Sequence, residues 1–250
     1  MIPLCNGLLS DWSAWIRAND DNAAHMETAL TALSPAEGLG QVIRPGQPAR
    51  LSVDDARDIP CIETEYAGQV PILHASSGVR RAVALAYMLT WAWSEHRIAA
   101  RLRRDATTDQ IVMLVDGLES HLHPRWQRSM LRALRDLGSS LLRSAQCQLV
   151  VSTHSPLVLA SAEPWFDPEC DAWFDLDLEG EPPEPVLRRR IFTARGTTGG
   201  WLTSEAFDLQ TDRSIEAERA YLAAMDPPEA GSPGPQGRNA RASATRRDLP

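Results

Sequence analysis

The chain has 250 residues, 43% of them hydrophobic and 23% charged, which is enough for one domain with a buried core and is the composition of an ordinary globular protein. A formal net charge of -8 excludes a surface that is basic all over, so any nucleic-acid contact would have to use local arginine clusters. All 25 basic residues are arginine, and there is no lysine anywhere in the chain.

In chain order, residues 8–33 carry Trp12, Trp15, Ile16, Met26, Leu30 and Leu33 at amphipathic spacing, which predicts one or two helices ending near Ser34-Pro35. From Gln41 the punctuation changes to proline and glycine. Short strands are predicted at 50–53, 61–65 and 70–73, with 66–69 as the turn of a hairpin between the last two. A long helix is predicted from Val79 to about Arg104, with Gly78 before its first turn and Val83, Ala86, Leu89 and Trp93 on its apolar face.

Ile111-Val112-Met113-Leu114-Val115 is apolar without alternation, the pattern of a parallel strand buried on both faces. Pro124 opens a further helix with Trp126, Met130, Leu134 and Leu137 on one side, and Gln148 to Ser152 forms a second buried strand. Strand, helix and strand make a βαβ unit, so the two strands are predicted to be parallel with a right-handed crossover. Residues 172–193 read as short strands around a Glu/Pro-rich loop, and residues 214–224 as a small helix. The Pro-, Gly-, Ser- and Arg-rich stretch 226–250 reads as a disordered tail.

The chemistry follows from strand ends. In a parallel sheet, ligands bind outside the carboxyl ends of the strands. Asp116 follows the first buried strand immediately and Thr153-His154 the second, so both meet on one edge. A carboxylate there suits a hydrated Mg²⁺, and an imidazole can reach a phosphate oxygen or an attacking water.

Three motifs in order carry a family resemblance. Asp116-Gly117-Leu118-Glu119-Ser120-His121-Leu122-His123-Pro124 resembles the extended Walker B of the ABC-type AAA ATPases found in bacterial defence, overcoming-lysogenization-defect-like and RecF-like proteins. Ser152-Thr153-His154-Ser155-Pro156 is similar to that family's switch-histidine loop, and Ala75-Ser76-Ser77-Gly78-Val79-Arg80-Arg81 to its signature motif. The resemblance spans roughly residues 50–225 and implies an α/β, P-loop NTPase-like (ABC-type) fold: a parallel sheet with flanking helices. It implies ATP and Mg²⁺ as cofactors, with His154 and Glu119 as candidate catalytic residues, Ser76, Ser77, Gly78 and Asp116 as nucleotide-binding residues, and Asp116 as the Mg²⁺ ligand. It also implies a signature that acts across a dimer, in a homodimer or with a P-loop-bearing chain. Serine hydroxyls and a glycine at a helix N-terminus suit such an anion-facing role.

Two departures follow. Gly117 stands where the family carries the glutamate that polarises water, and Glu119 matches its second acid. There is also no GxxxxGK[ST], and with no lysine there cannot be one, so the domain is expected to be incomplete on its P-loop side. The expected division is a helical segment 1–40, the C-terminal part of an ATPase domain over 41–225 and the tail 226–250. The function implied is ATP binding with or without hydrolysis. Its rival is an inactive remnant or regulatory partner of an active ATPase.

Other features are weaker. His121 and His123 form an HxH pair that, with Asp116 and His154, allows a metal-dependent hydrolase, although the ligand set is incomplete. The arginine clusters at 97–104 and 188–190 allow nucleic-acid contact but lack interleaved aromatic residues. Trp91 and Trp93 and the segment 195–218 read as packing. The four cysteines form no CxxC pair, no run of about 18 apolar residues exists, and MIPLCNGLLSDW lacks the features of a signal peptide. A reducing cytoplasm is the expected setting.

Overall fold

Asp20 separates two helices near the N-terminus. Its carboxylate accepts from the backbone N–H groups of Asn22 and Ala23 and opens α2 (Asp21–Leu33), while Asn19, in left-handed conformation, closes α1 (Leu8–Ala18). Ser34 ends α2. Its hydroxyl donates to the Leu30 carbonyl at 2.7 Å and accepts from the Ile43 N–H at 2.9 Å, tying the helix to the strand that follows. The computed structural model describes residues 5–35, 42–141 and 146–225. The expected tail at 226–250 lies outside them, as do the ends of the expected segment 1–40.

Three strands follow, β1 (Arg44–Arg50), β2 (Asp58–Thr64) and β3 (Gly68–Pro71), in one antiparallel sheet in that order. The first lies earlier than the predicted 50–53, and it carries Pro45 and Pro48. Proline is tolerated there because β1 is an edge strand of this sheet and its pairing slips between Gly46 and Ala49. The hairpin between β2 and β3 forms with its turn at Glu65–Ala67, slightly before the predicted 66–69.

After a single 3-10 turn at Ile72–His74 comes α3 (Ser77–Arg103). Its N-cap is Ser76, whose hydroxyl accepts from the Val79 N–H, so Ser77 and Gly78 lie inside the first turn rather than before it. Asp11 in α1 accepts a 2.7 Å hydrogen bond from the Tyr87 hydroxyl in α3, and Trp15 stacks on the Tyr87 ring at 5.6 Å. Burial and the Asp11 hydrogen bond both push the Tyr87 phenol above its ordinary range.

The predicted βαβ unit is present as β4 (Gln110–Val115), α4 (Pro124–Leu141) and β5 (Gln146–Val151), with β4 and β5 parallel and Val115 opposite Val151. Burial on both faces is not. Met113 and Val115 are 8% and 6% exposed, whereas Val112, Leu114 and Val150 on the opposite face are 58%, 75% and 48% exposed. Successive side chains of a strand point to opposite faces, and only one face meets the helices. That covered side packs against Trp126, Met130, Leu134 and Leu137 of α4, in one core with Met26, Leu30 and Leu33 of α2 and with Val79, Val83 and Ala86 of α3.

Beyond β5 lie α5 (Pro156–Ala162), the antiparallel pair β6 (Trp173–Glu179) and β7 (Glu184–Arg190), and the short α6 (Thr198–Leu202). One face of the hairpin is ionic, with Arg188 paired to Glu179 and Arg190 to Asp175. The other exposes Phe174, Leu176, Leu178 and Leu187. The chain divides after Leu209, and the second unit contains α7 (Ile215–Met225), where the Arg213 guanidinium sits 5.3 Å from the Tyr221 ring centre. Among the described residues no helix is long and apolar enough to cross a membrane.

Candidate functional site

The parallel register of β4 and β5 ends level, so the residues just past both strands are neighbours. The Ser152 backbone N–H donates to the Val115 carbonyl at 3.0 Å and the Leu118 N–H to the Ser152 carbonyl at 3.1 Å, which extends the pairing beyond the strands. Here the Ser152 hydroxyl donates a short hydrogen bond to Asp116 Oδ1 and accepts from the Gly117 N–H at 2.8 Å. Asp116, Ser152 and His154 are all exposed at this edge. The sequence places Asp116 and His154 here. Ser152 is the link that strand-end position alone does not reveal.

Glu119 reaches across to the second loop. One carboxylate oxygen accepts from the Thr153 hydroxyl at 2.6 Å, and the other from the His154 backbone N–H at 3.0 Å. Burial is the largest single influence and pushes the Glu119 carboxyl up, but the hydrogen bonds from Thr153, the His154 N–H and the Glu119 backbone, with the nearby His154 ring, together hold it below the usual carboxylate value. A carboxylate of lowered basicity with both oxygens already accepting is poorly placed as a proton acceptor. In this conformation Glu119 braces the His154 loop.

Gly117 adopts φ +56°, and a Cβ there would lie 2.8 Å from Ser120 Oγ. This is left-handed backbone, which side-chain-bearing residues rarely adopt. Arg81 of α3 holds the same turn from outside, with Nη2 donating to the Asp116 carbonyl at 3.1 Å and the Gly117 carbonyl at 2.8 Å.

The segment 75–81, expected as a signature motif, and the loop after Asp116 are also adjacent. A Cβ on Gly78 would stand 3.0 Å from the His121 carbonyl oxygen, so the small residue permits this approach. His121 itself has φ +62° and an exposed side chain. His123 Nδ1 accepts from the Arg125 N–H at 3.3 Å where α4 begins at Pro124. Gln127 of α4 bridges the two loops, donating to the Leu122 carbonyl at 3.0 Å and accepting from the Ser155 hydroxyl at 2.7 Å. Ser155 in turn caps α5 through the Val158 N–H. The signals that could have located Gln127 and Ser155 are only the helix starts they serve.

Among the described residues, no three His, Cys, Asp or Glu side chains converge as a metal cluster, so the HxH hydrolase reading has no ligand set. The arginines at 188 and 190 are ion-paired within their hairpin. All four cysteines are free.

Residues 29–160 match the family described as "AAA domain, putative AbiEii toxin, Type IV TA system". No curated protein matches the sequence. Among solved structures, the chain is similar to one from work titled "Structural biochemistry of ATP-driven dimerization and DNA stimulated activation of SMC ATPases", with 13% identity and a TM-score of 0.42 over 87% of this chain and 98% of that one. It is also similar to an Smc head bound to the C-terminal winged-helix domain of ScpA, with 16% identity and a TM-score of 0.37 over 70% of this chain and 44% of that one. A third is a Pyrococcus furiosus Smc head with an extended coiled coil bound to the C-terminal domain of ScpA, with 13% identity and a TM-score of 0.37 over 87% of this chain and 41% of that one. The family match spans more than half of the chain and takes in residues 75–81, both parallel strands and the two loops that meet at Asp116 and Ser152; the chain belongs to this AAA-domain family.

Proposed function

We propose that the carboxyl edge of β4 and β5 is one part of an ATP·Mg²⁺ site, with Asp116 as the magnesium-binding carboxylate. The reading rests on the Ser152–Asp116 hydrogen bond, which presents an exposed, pre-oriented carboxylate at the strand ends. Mg²⁺ fits this donor set, because it needs only one or two protein carboxylates and takes phosphate and water oxygens for the rest. When bound, the ion would neutralise charge on the phosphate oxygens. Asp116 would anchor it, Ser152 would fix the carboxylate, and the His154 imidazole would face a phosphate oxygen or water. The phosphate cradle does not fit this chain alone, since the sequence holds no lysine and no GxxxxGK[ST].

Ser76, Ser77 and Gly78 would act on nucleotide held by a second subunit, either another copy or a P-loop-bearing chain. Both serines are exposed at the start of a 27-residue helix, where free donors and the positive dipole end favour an anion. Hydrolysis by this chain would be slow. Gly117 offers no base, and a general base of this type contributes about 10²–10⁴ in rate.

The commitment of both Glu119 oxygens to Thr153 and His154 favours a second reading, a nucleotide-responsive regulatory subunit without turnover. Calorimetric titration with Mg·ATP, alone and with a P-loop-bearing chain of the same family, tests the site. Binding that D116N abolishes is the expected result, and absence of binding under both conditions refutes it. Phosphate release measured on the same samples separates the two readings.

A further inference from the structure

The β6–β7 hairpin turns its apolar face to water. Its register sets Phe174 beside Arg189, Leu176 beside Leu187 and Leu178 beside Pro185 on that face, and alternation continues it to Ile191, since Phe192 turns back toward Trp173. Phe174, Leu176, Leu178, Leu187 and Ile191 are 50%, 70%, 65%, 63% and 86% exposed. The opposite face is already satisfied. Arg188 pairs with Glu179 and Arg190 with Asp175, and at the base Trp173 and Phe192 join Trp201 and Phe166. Among the described residues the two strands pair only with each other, and a two-stranded sheet alone is marginal in water. Five large side chains with roughly 100 Å² exposed on each make a patch of about 500 Å², the size that marks an interaction surface.

We infer that a second copy of this chain covers the face, the two hairpins stacking antiparallel about a two-fold axis at the level of the Leu176–Leu187 pair. Three observations select that occupant. The strand edges are blunted against a further strand, β6 by Asp175, Asp177 and Glu179 and β7 by Pro185, which lacks a donor. The unmet demand therefore lies on the face, where an apolar sheet takes another sheet. Second, two such patches would bury about 1,000 Å² from these side chains alone, the area at which specific interfaces begin. Third, the hairpin is charged oppositely at its two ends. Glu179, Glu181 and Glu184 surround the turn, whereas Arg188, Arg189 and Arg190 lie at the base. Antiparallel stacking lays the acidic turn of one copy over the basic base of the other, and parallel stacking would oppose like charges. Arg189, the one charge on the apolar face, then meets Glu181 of the partner subunit. Five carboxylates against three arginines in residues 173–191 disfavour an anionic lipid surface as the occupant. The inference does not rest on the nucleotide reading.

Sedimentation velocity on the full chain over a dilution series, without nucleotide, is the test. A concentration-dependent dimer is expected. L176E and L187E should each weaken it by about tenfold or more, while V53E, at a residue 91% exposed in the loop after β1, should not. R189E should weaken it as well, and R189E combined with E181R should restore it, a rescue that loss of apolar contact alone would not give. Leu176 and Leu187 already face water, so both variants should keep the tryptophan emission of the Trp173–Trp201 cluster; if they lose it, the charge swap decides. A chain that stays monomeric throughout overturns the inference, as does a dimer that L176E leaves intact or that the charge swap fails to restore. A dimer that forms only with Mg·ATP and is lost in D116N also overturns it, because that contact belongs to the nucleotide edge. So does flotation of a monomeric chain with phosphatidylcholine–phosphatidylglycerol vesicles that L176E abolishes, which would make lipid the occupant.

Discussion

Ser152 donates its hydroxyl to the Asp116 carboxylate across the carboxyl ends of two adjacent parallel strands. The same oxygen accepts from the Gly117 N–H, so a single side chain sets both the direction of the carboxylate and the backbone of the turn after it. In the proposed site Ser152 would be the outer hydrogen-bond partner of a metal-binding Asp116, and loss of such a partner typically lowers metal affinity about 10–100-fold. S152A is expected to weaken Mg·nucleotide binding to that extent with little change in thermal stability, and S152T to restore much of it. Titration calorimetry at fixed Mg²⁺ with parallel melts is the measurement.

Glu119 links stability to pH. Its folded carboxyl titrates below the ordinary glutamate value, so the ionised form is favoured in the native state. The sign follows: this contribution is fully present above the unfolded glutamate value of about 4.3 and is lost as pH falls through the lower folded value. E119Q is expected to cost about 1–2 kcal/mol at pH 7, since an amide NH₂ must then face either the Thr153 hydroxyl or the His154 N–H. Denaturant titrations at pH 7 and below 4 should show the gap between parent and E119Q narrowing with acid. An unchanged gap would remove Glu119 from the linkage.

Installing the missing acid at position 117 works against the backbone. Gly117 has φ +56°, and any Cβ there lies 2.8 Å from Ser120 Oγ. G117E is expected to destabilise by about 1–2 kcal/mol, lowering the melting temperature by about 2–8 °C. It should not create phosphate release by the chain alone, because the phosphate loop is still missing. A melting curve unchanged from the parent would show that the turn relaxes freely.

Glu163 at the end of α5 is a clamp on the segment beyond β7. Its Oε1 accepts from the Arg195 N–H at 2.7 Å, the Gly196 N–H at 3.1 Å and Trp201 Nε1 at 2.6 Å. Trp201 is 1% exposed and lies against Trp173 and Phe192, with ring centres 6.0 and 5.3 Å away. E163A strands these donors and is expected to cost about 2–3 kcal/mol. Intrinsic tryptophan emission should shift to the red and amide exchange should rise across 195–201. Unchanged emission and exchange would show that the aromatic packing suffices.

Much of the site was legible because strand ends are local features. Ile111–Val115 and Leu149–Val151 are recognisable as strands from their own side chains, and a parallel sheet gathers its ligands at carboxyl ends, so the meeting of Asp116 with the His154 loop follows from order along the chain. The helix start at Pro124 is equally local, set by proline's missing N–H, whereas the caps at Asp20 and Ser76 came only with the structure, the sequence expectation having opened the long helix at Val79. What the tertiary structure decided is pairing at long range. Arg81 on the Gly117 turn, Gln127 on Ser155, Glu119 on Thr153 and Glu163 on Trp201 join residues tens of positions apart, and no periodicity encodes which donor meets which acceptor. It also decided that Val112 and Leu114 face water. An apolar side chain records a preference for burial; only the arrangement of neighbouring elements settles whether anything covers it.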